Sequence, residues 1–576
     1  MPSVTPSLIA KSRRLPSPTA LSRQMARLLP ERHGSQLLVA AIAVGVIVGF
    51  AVAVFDAIVL EVVFHRVLEL PLWVQAVAPL IGLTLTVAIL QVIGNGIGPS
   101  TSDEYIYSFH SRRPTAEGRP LVARLMAGVS TIGLGGALGL EGPSIYMGSS
   151  IGVWIHGRLD RWLGRDSAKL LLTAGAAAGV SALFQAPATG LVFALESPYR
   201  DDVAHRALLP SLIASAASYL TFVLMPFIHP DRLLGFTPEA DFGIGDLLGA
   251  VAVGVGAGLG GRWFAWTVRR AKSLRSQFSP WVLALTGGVL LGAMALMSDF
   301  LFDKPLTLGP GLQIVDWLGT RPPLLMISAL FVFRAVATLA TVGAGGVGGL
   351  FIPLAIQGVL FGRLVGDGLQ DLGWAHNASI WPFLGLAAFL AAGYRTPIAA
   401  VMFVAESSRG AAVVPALVAA AVSQLVAGDA SVASGQRVER VGHLEERLTL
   451  PISSALTTDV MTVPPDATVS EFMWVHAIGR RQRIVPVVDG AVYLGQCSVE
   501  RASAVDRDDW EATPVSEILN EAPSARPSWR LRDAIAAMDR SGADQIAVTD
   551  GDGGFVGVVY ESEIVKLGEI LDQTEH

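Results

Sequence analysis

The sequence is poor in charge and almost free of cysteine. Of its 576 residues, 52% are hydrophobic and only 16% are charged, and Cys497 is the single cysteine. One thiol excludes a disulfide within the chain and a metal site made of several thiolates. The formal net charge is -6 with no basic face or zinc-ligand cluster, so the composition does not favour nucleic-acid binding. The apolar part also lacks a His/Glu metal spacing and a nucleophile with a nearby base, which argues against an enzyme.

Apolar residues are concentrated before about residue 445. Residues 37–63 and 72–93 are each long enough to cross a bilayer, which takes roughly 20 apolar residues. Several later apolar segments are shorter and interrupted by Gly or Pro, a pattern typical of re-entrant helices that border a polar cavity. These features predict an integral membrane protein with about fifteen helices. Six basic residues against one acid in residues 1–35 predict a basic cytoplasmic N-terminal tail.

One stretch of the apolar part occurs twice, at a constant spacing of 210 residues. Residues 139–143, which contain Glu141, align with residues 349–353, and the register then holds without a gap. The further matching pairs are Gly148 and Gly358, Gly152 and Gly362, Gly175 and Gly385, Pro187 and Pro397, Phe193 and Phe403, Glu196 and Glu406, and Ser197 and Ser407. One register kept over about sixty residues predicts an internal duplication. The short segments leave open whether the two copies are parallel or inverted.

Three glycine-rich stretches are candidate helix starts, at residues 94–98, 139–143 and 348–353. A helix start exposes unpaired N–H groups with partial positive charge and is therefore an anion site. Backbone dipoles suit an ion that must leave again, so the predicted solute is a small anion. Ionised Glu141 is expected to occupy the amide cluster itself, and protonated Glu141 to leave it, which would make this residue the gate. The alternative is a carboxylate that only caps a neighbouring helix.

The chain changes character after residue 450. Strand-like residues 484–488 and 492–496 flank an Asp-Gly turn, and residues 545–548 and 555–560 repeat the arrangement. This pattern predicts two tandem β-α-β-rich modules of about 60 residues.

The sequence resembles the CLC family of chloride channels and chloride/proton antiporters, followed by a pair of CBS modules. Residues 139–143 resemble the family's G-[KR]-E-G-P motif, with Leu140 in the place of the usual basic residue, and residues 349–353 resemble its G-x-F-x-P motif. The resemblance implies an all-α polytopic CLC fold with an inverted repeat and broken re-entrant helices, followed by a soluble α/β CBS pair. It also implies a homodimer with one pore in each subunit. The amides implied to bind the anion are those near Gly142, Leu350, Phe351 and Ile352.

Three positions depart from the family pattern. The family's G-S-G-I-P stretch is matched by residues 94–98, with Asn95 in the serine place and Gly96 after it; we expect both to contact the anion, because an amide NH2 can still donate. The family's pore tyrosine is matched by Ala433, which implies a wider inner mouth. The inner proton-transfer glutamate, which follows the acid matched by Glu196, is replaced by Ser197, whose hydroxyl does not titrate near neutral pH.

These departures favour a passive CLC-type chloride channel gated by protonation of Glu141. Chloride/proton antiport is the first alternative, and a nucleotide-responsive membrane sensor is the second. We expect no required cofactor or metal, chloride as ligand, and small inorganic anions, the lipid bilayer and a second copy of the chain as partners. The N-terminus and the CBS modules are expected on the cytoplasmic side of the plasma (inner) membrane.

The expected domains are a tail at 1–35, a membrane domain at 36–445 with repeat halves near 36–230 and 243–442, and CBS modules at 452–508 and 513–572. Adenine nucleotides bind some CBS domains, often through an acid three residues after a Thr or Ser. The second module offers Tyr560 and Glu563 as candidate nucleotide ligands, and the first offers Ser498 followed by Arg501. Neither pair matches the pattern well, so a structural or dimerising CBS pair is the main expectation and a nucleotide sensor the alternative.

Overall fold

A computed structural model describes residues 32–111, 113–163, 167–226, 238–239, 241–373, 379–439, 449–520, 524–541 and 543–574. The chain divides after residue 439 into two compact units. The described residues of the first unit form sixteen α-helices, and those of the second form small sheets packed with short helices.

The helices of the first unit fall into two similar series. Its first half contains α1 (Arg32–Asp56, continued by a π-helical turn at Ala57–Phe64 and by His65–Glu69), α2 (Leu72–Val92), α3 (Ser102–His110), α4 (Gly118–Gly133), α5 (Glu141–Leu163), α6 (Ser167–Phe184), α7 (Pro187–Glu196) and α8 (Leu208–Val223). Its second half contains α9 (Ile244–Ser273), α10 (Pro280–Phe302), α11 (Gln313–Gly319), α12 (Leu324–Gly343), α13 (Phe351–Asp371), α14 (Trp381–Tyr394), α15 (Pro397–Ser407) and α16 (Val413–Ala427).

Eight helices in the described part of the chain are long and apolar enough to cross a membrane. Helices α7, α14, α15 and α16 are apolar but only 10–17 residues long. Helices α7 and α15 begin directly at Pro187 and Pro397, where the missing N–H is not needed for helical bonding. Short broken helices buried among long ones confirm the predicted class of polytopic membrane fold.

The two halves contact each other reciprocally. Gly139 and Gly349 form an antiparallel bridge, with N···O distances of 3.0 and 2.7 Å. The amide of Ala137 donates to the Thr341 hydroxyl and the amide of Val347 donates to the Thr131 hydroxyl, both at 3.0 Å. Adding 210 to one residue of each bond and subtracting it from the other converts the first hydroxyl bond into the second and maps the glycine bridge onto itself, as a two-fold axis requires. Antiparallel contact between equivalent segments is consistent with the inverted repeat of the predicted fold.

The repeat extends to backbone conformation. Gln185 and Arg395 both have left-handed φ values, 51° and 59°, at the end of α6 and α14. Glycines let the paired helices touch: a Cβ on Gly148 would lie 2.1 Å from Gly175 O, and one on Gly358 would lie 2.4 Å from Gly385 O. Backbones that approach so closely exclude any side chain, which explains why these four glycines recur at equal spacing.

The second unit is built around two small sheets. Its strands and helices are β1 (Leu456–Thr457), α17 (Val469–Glu471, continued by a π-helical turn at Phe472–Ile478), β2 (Ile484–Asp489), β3 (Val492–Ser498), α18 (Val499–Ala502), β4 (Ser524–Ala525), α19 (Leu531–Ser541), β5 (Gln545–Thr549), β6 (Phe555–Tyr560) and α20 (Glu561–Thr574). Strands β2 and β3 form one antiparallel hairpin, and the other sheet has the order β1-β6-β5-β4.

Each of the two modules, expected at 452–508 and 513–572, shares part of its core with a segment outside its own strands and helices. Strand β1 pairs with β6, and Ile452 lies in the same core as Ile546. In the other direction, Val515 lies in the core that contains Cys497, and the amides and carbonyls of Gln496 and Asn520 are paired at 3.3 and 2.8 Å. The second module therefore uses a segment that precedes the first one, and the first module uses a segment that lies between the two.

Burial of Cys497 gives a prediction for the second unit. Its side chain is fully buried in β3, and burial raises the pKa of the thiol to about 12. Because the thiolate is the reactive form, the native protein near neutral pH is expected to resist an aromatic disulfide reagent and to react when it unfolds in urea. A Val492→Cys variant, on the same strand but 49% exposed, is the control and should react at once. Rapid labelling of native Cys497 would contradict this burial.

Candidate functional site

Glu141 lies where the two inverted halves meet. It is the first residue of α5 and is 1% exposed. Its Oε1 accepts hydrogen bonds from the amides of Phe351, at 2.5 Å, and Ile352, at 3.3 Å, which belong to the first turn of α13. These amides have no partner within their own helix, so a negative charge there also gains from the helix dipole. The carboxylate therefore occupies the position of a bound anion.

Glycines create the space for this side chain. A Cβ on Gly349 would lie 2.3 Å from Oε1 of Glu141, and a Cβ on Gly139 would lie 2.0 Å from Oε2. Gly142 lies against the same backbone, since its Cβ would be 2.9 Å from Gly349 N. The structure thus brings Glu141, Gly142, Phe351 and Ile352, which the sequence predicts for this site, into one cluster.

Leu350 has a different partner from the one expected. Its amide donates to the hydroxyl of Tyr394 at 3.2 Å, so this N–H is already engaged and does not face the carboxylate. Sequence reasoning did not single out Tyr394, which is the last residue of α14 and is 3% exposed. The alignment by 210 residues could have indicated it, because Tyr394 then corresponds to Phe184 and both are aromatic.

Asn95 and Gly96, which are expected to contact the anion, lie outside this cluster. Both are exposed and have positive φ values of 58° and 82°, in the turn that ends α2. The residue that reaches the site is Thr101, further along the chain. Its hydroxyl is buried and donates to Gly348 O at 3.4 Å, and it would lie 2.4 Å from a Cβ on Gly142.

The other two positions that depart from the family pattern, Ala433 and Ser197, lie on segments that pack near Tyr394. Ala433 is partly buried, and the amide of the residue before it, Val432, donates to Gly393 O at 2.8 Å. Ser197 is 2% exposed, and its hydroxyl has no hydrogen-bond partner. Gln436 connects the two places, because its Nε2 donates to the carbonyls of Ser197 and Tyr394 at 2.9 and 3.2 Å.

Two glutamates cap each other's helices near the site. Glu196 ends α7, and its carboxylate accepts from the amides of Ile398 and Ala399 at the start of α15, at 3.1 and 2.9 Å. Glu406, near the end of α15, accepts from the amides of Ala188 and Thr189 at the start of α7, at 2.9 and 2.8 Å. The two helices are therefore antiparallel, and each acid neutralises the partner's exposed N–H groups.

Loss of this reciprocal capping should weaken the membrane unit. Glu406→Ala leaves the amides of Ala188 and the buried Thr189 without their acceptor, and we expect it to destabilise the fold by about 2 kcal/mol or more. Thermal unfolding of the detergent-solubilised protein measures the effect as a lower midpoint. Glu439→Ala, at an exposed acid of the same unit, is the control. Equal midpoints for the two variants would contradict the capping role.

The two modules differ in the residues at their candidate nucleotide positions. Tyr560 ends β6, and Glu563, in the first turn of α20, forms an ion pair with Lys566 at 2.6 Å. In the other module the Ser498 hydroxyl accepts from the amide of Arg501, whose guanidinium donates to Leu519 O at 2.9 Å. The second module thus has Glu563 at the position where the pattern expects an acid, whereas the first module has Arg501 there.

Taken together, the first unit is a membrane protein made of two inverted repeats whose helix starts enclose one buried carboxylate. A family model described as voltage gated chloride channel matches residues 82–428, and a CBS domain model matches residues 515–569. Since the first match covers more than half of the chain, the protein belongs to the voltage-gated chloride channel (CLC) family of anion transport proteins.

Solved structures share this fold at low sequence identity. A slow cyanobacterial Cl-/H+ antiporter is 22% identical with a TM-score of 0.61, covering 68% of this chain and 94% of that one. A CLC-type fluoride/proton antiporter is 22% identical with a TM-score of 0.59, covering 70% and 98%. A eukaryotic CLC transporter is 16% identical with a TM-score of 0.56, covering 92% and 97%. These likenesses confirm the fold predicted by the resemblance.

Proposed function

We propose that this protein moves small inorganic anions, chloride first among them, through the junction of α5 and α13, and that each subunit of a homodimer has its own path. The observation that supports the proposal most strongly is the hydrogen bonding of the buried Glu141 carboxylate to the amides of Phe351 and Ile352. A site that holds a carboxylate through uncharged donors can also hold a halide and release it.

Glu141 then acts as a gate controlled by protonation. When ionised, it competes with the transported anion for the same two amides. When protonated, it loses its charge-assisted hydrogen bonds, and the anion takes its place. Anion flux therefore rises as the pH falls, because acid increases the fraction of molecules with an open site.

Passive flow is the main form of the proposal. Exchange for protons needs a titratable group that delivers the proton from the inner side. The residue after Glu196 is Ser197, whose buried hydroxyl does not titrate near neutral pH. With no acid at this position, the anion is proposed to move down its own gradient.

Chloride/proton exchange is the second candidate function. The observation that favours it is the likeness to structures whose titles name a Cl-/H+ antiporter and a fluoride/proton antiporter. Glu141 is also almost completely buried, as expected for a group that carries a proton while the path is closed to anions.

The reversal potential of purified protein in liposomes separates the two candidates. With a chloride gradient and an added proton gradient, passive flow gives a reversal potential at the chloride equilibrium value. Exchange displaces the reversal potential towards the value set by both gradients. Absence of any anion flux would contradict both candidates.

For the second unit we propose a structural or dimerising role on the cytoplasmic side. The interleaved ends of its modules and the guanidinium of Arg501 in the usual acid place support this role. Adenine nucleotide binding through Tyr560 and Glu563 is the alternative, and it would make the protein a nucleotide-responsive membrane sensor. Titration calorimetry of the full-length protein with ATP distinguishes them, since measurable binding heat would contradict a purely structural role.

A further inference from the structure

The hydroxyl of Tyr394 lies beside the amides that hold Glu141. The amide of Leu350 donates to Tyr394 Oη at 3.2 Å, so this oxygen is an acceptor and its own hydrogen remains to be donated. The hydroxyl of Ser102, at the start of α3, is also buried and has no hydrogen-bond partner. Glu141 accepts from the amide of Phe351, the residue after Leu350, and its buried Oε2 has no hydrogen-bond partner. The Tyr394 O–H group and the position that the Glu141 carboxylate occupies thus lie in the same buried space.

The internal repeat shows what is unusual about this hydroxyl. Tyr394 corresponds to Phe184 in the other half, and the two rings lie 6.4 and 4.6 Å from the ring of Phe351. Both halves therefore contribute the same aromatic wall around the start of α13. Only one of the two rings has an O–H group, so the repeat accounts for the aromatic packing but not for the hydroxyl.

The backbone of Tyr394 is fixed from the other side. Its carbonyl accepts from Gln436 Nε2 at 3.2 Å and from the Ser431 hydroxyl at 3.4 Å. The segment that makes these contacts includes Ala433, whose methyl group has no donor to offer. Tyr394 of α14 therefore supplies a hydroxyl donor near the site, whereas the segment that contains Ala433 supplies none.

We propose that Tyr394 is an anion-binding, specificity-determining residue, which donates its O–H to the transported anion after Glu141 leaves the amides of Phe351 and Ile352. The hydrogen bond from Leu350 N–H to Tyr394 Oη polarises the phenol and makes its O–H a stronger donor. The Leu350 amide thus acts on the anion through Tyr394, although it does not itself face the anion. This inference rests on the proposed anion transport and adds a named donor to it.

Chloride binding to the Glu141→Gln protein, with and without Tyr394→Phe, tests the proposal by titration calorimetry. Removing one donor to a charged ligand should weaken chloride binding about tenfold. Tyr105→Phe in the same background is the matched control, because the Tyr105 hydroxyl is also buried but donates to Ala194 O at 2.6 Å. Unchanged chloride affinity in the Tyr394→Phe protein, or an equal loss in the Tyr105→Phe protein, would overturn the proposal.

A second measurement keeps the proposal testable if Tyr394→Phe does not fold. In crystals of Glu141→Gln protein soaked in bromide, the anomalous peak at the Phe351 and Ile352 amides should lie within about 3.5 Å of Tyr394 Oη. A peak at the amides but far from this oxygen would overturn the role of Tyr394 and leave anion transport intact. If the Glu141→Gln protein binds no halide and the unmodified protein shows no flux, the proposed function itself fails.

Discussion

Glu141→Gln is expected to abolish the pH dependence of anion flux and to leave transport active at neutral pH. In the unmodified protein the carboxylate accepts from the amides of Phe351 and Ile352, at 2.5 and 3.3 Å, and is proposed to exclude the anion when ionised. Glutamine has the shape of protonated glutamic acid and never carries the charge that these amides favour. The variant therefore stays in the state that the unmodified protein reaches only in acid.

Chloride efflux from liposomes, followed over the neutral to mildly acidic range, measures this effect. While Glu141 is mostly ionised, flux through the unmodified protein should rise by up to about tenfold for each unit of acidification. Glu61→Gln makes the same chemical change at an exposed position of the turn after α1 and should keep the full pH response. A pH response in the Glu141→Gln protein equal to that of the unmodified protein would remove Glu141 from the gating role.

Gly349→Ala is expected to expel the Glu141 side chain from its site. The new Cβ would lie 2.3 Å from Oε1 and 2.4 Å from the carboxyl carbon of Glu141, and no pair of non-bonded atoms tolerates such distances. Gly349 is also held to Gly139 by two backbone hydrogen bonds, so the backbone has little freedom to move away. The carboxylate must leave, and the gate loses its closed position.

Flux and its pH response test this substitution together. The Gly349→Ala protein should show a much smaller pH response, whether the anion path remains open or is narrowed by the methyl group. Gly157→Ala, near the end of α5, is the matched control because nothing lies within 4 Å of a Cβ placed there. If Gly349→Ala leaves the pH response unchanged, the carboxylate does not occupy the position described here.

The internal repeat made much of the fold and site predictable. Residues 139–143 and 349–353 share a register, and duplication at a helix-breaking glycine requires that the two helix starts meet at an axis. The repeat and its glycine-rich helix starts predict Glu141 as the gate, and the family resemblance adds the amides of Phe351 and Ile352 to the same site. Strands β2, β3, β5 and β6 were also predicted, since short apolar runs around Asp-Gly turns have few alternatives.

What the sequence could not predict depends on the exact path of the chain between helices. The stretch at 94–98 resembles a helix start but ends α2, and the next helix begins only at Ser102, so Asn95 lies outside the cluster. Tyr394 ends α14, and it reaches Leu350 only because α14 packs against α13, which local pattern does not predict. The exchanged ends of the CBS modules depend on pairing between β1 and β6, which local pattern does not encode.

The central claim is that the Glu141 carboxylate and the transported anion use the same amides. Anomalous diffraction from bromide-soaked crystals of the unmodified and Glu141→Gln proteins, grown at neutral pH, tests it most directly. The account predicts a bromide peak at hydrogen-bonding distance from the Phe351 and Ile352 amides in the Glu141→Gln protein, and the carboxylate there in the unmodified one. Bromide bound at these amides beside an undisplaced Glu141, or absent from them in the Glu141→Gln protein, would contradict it.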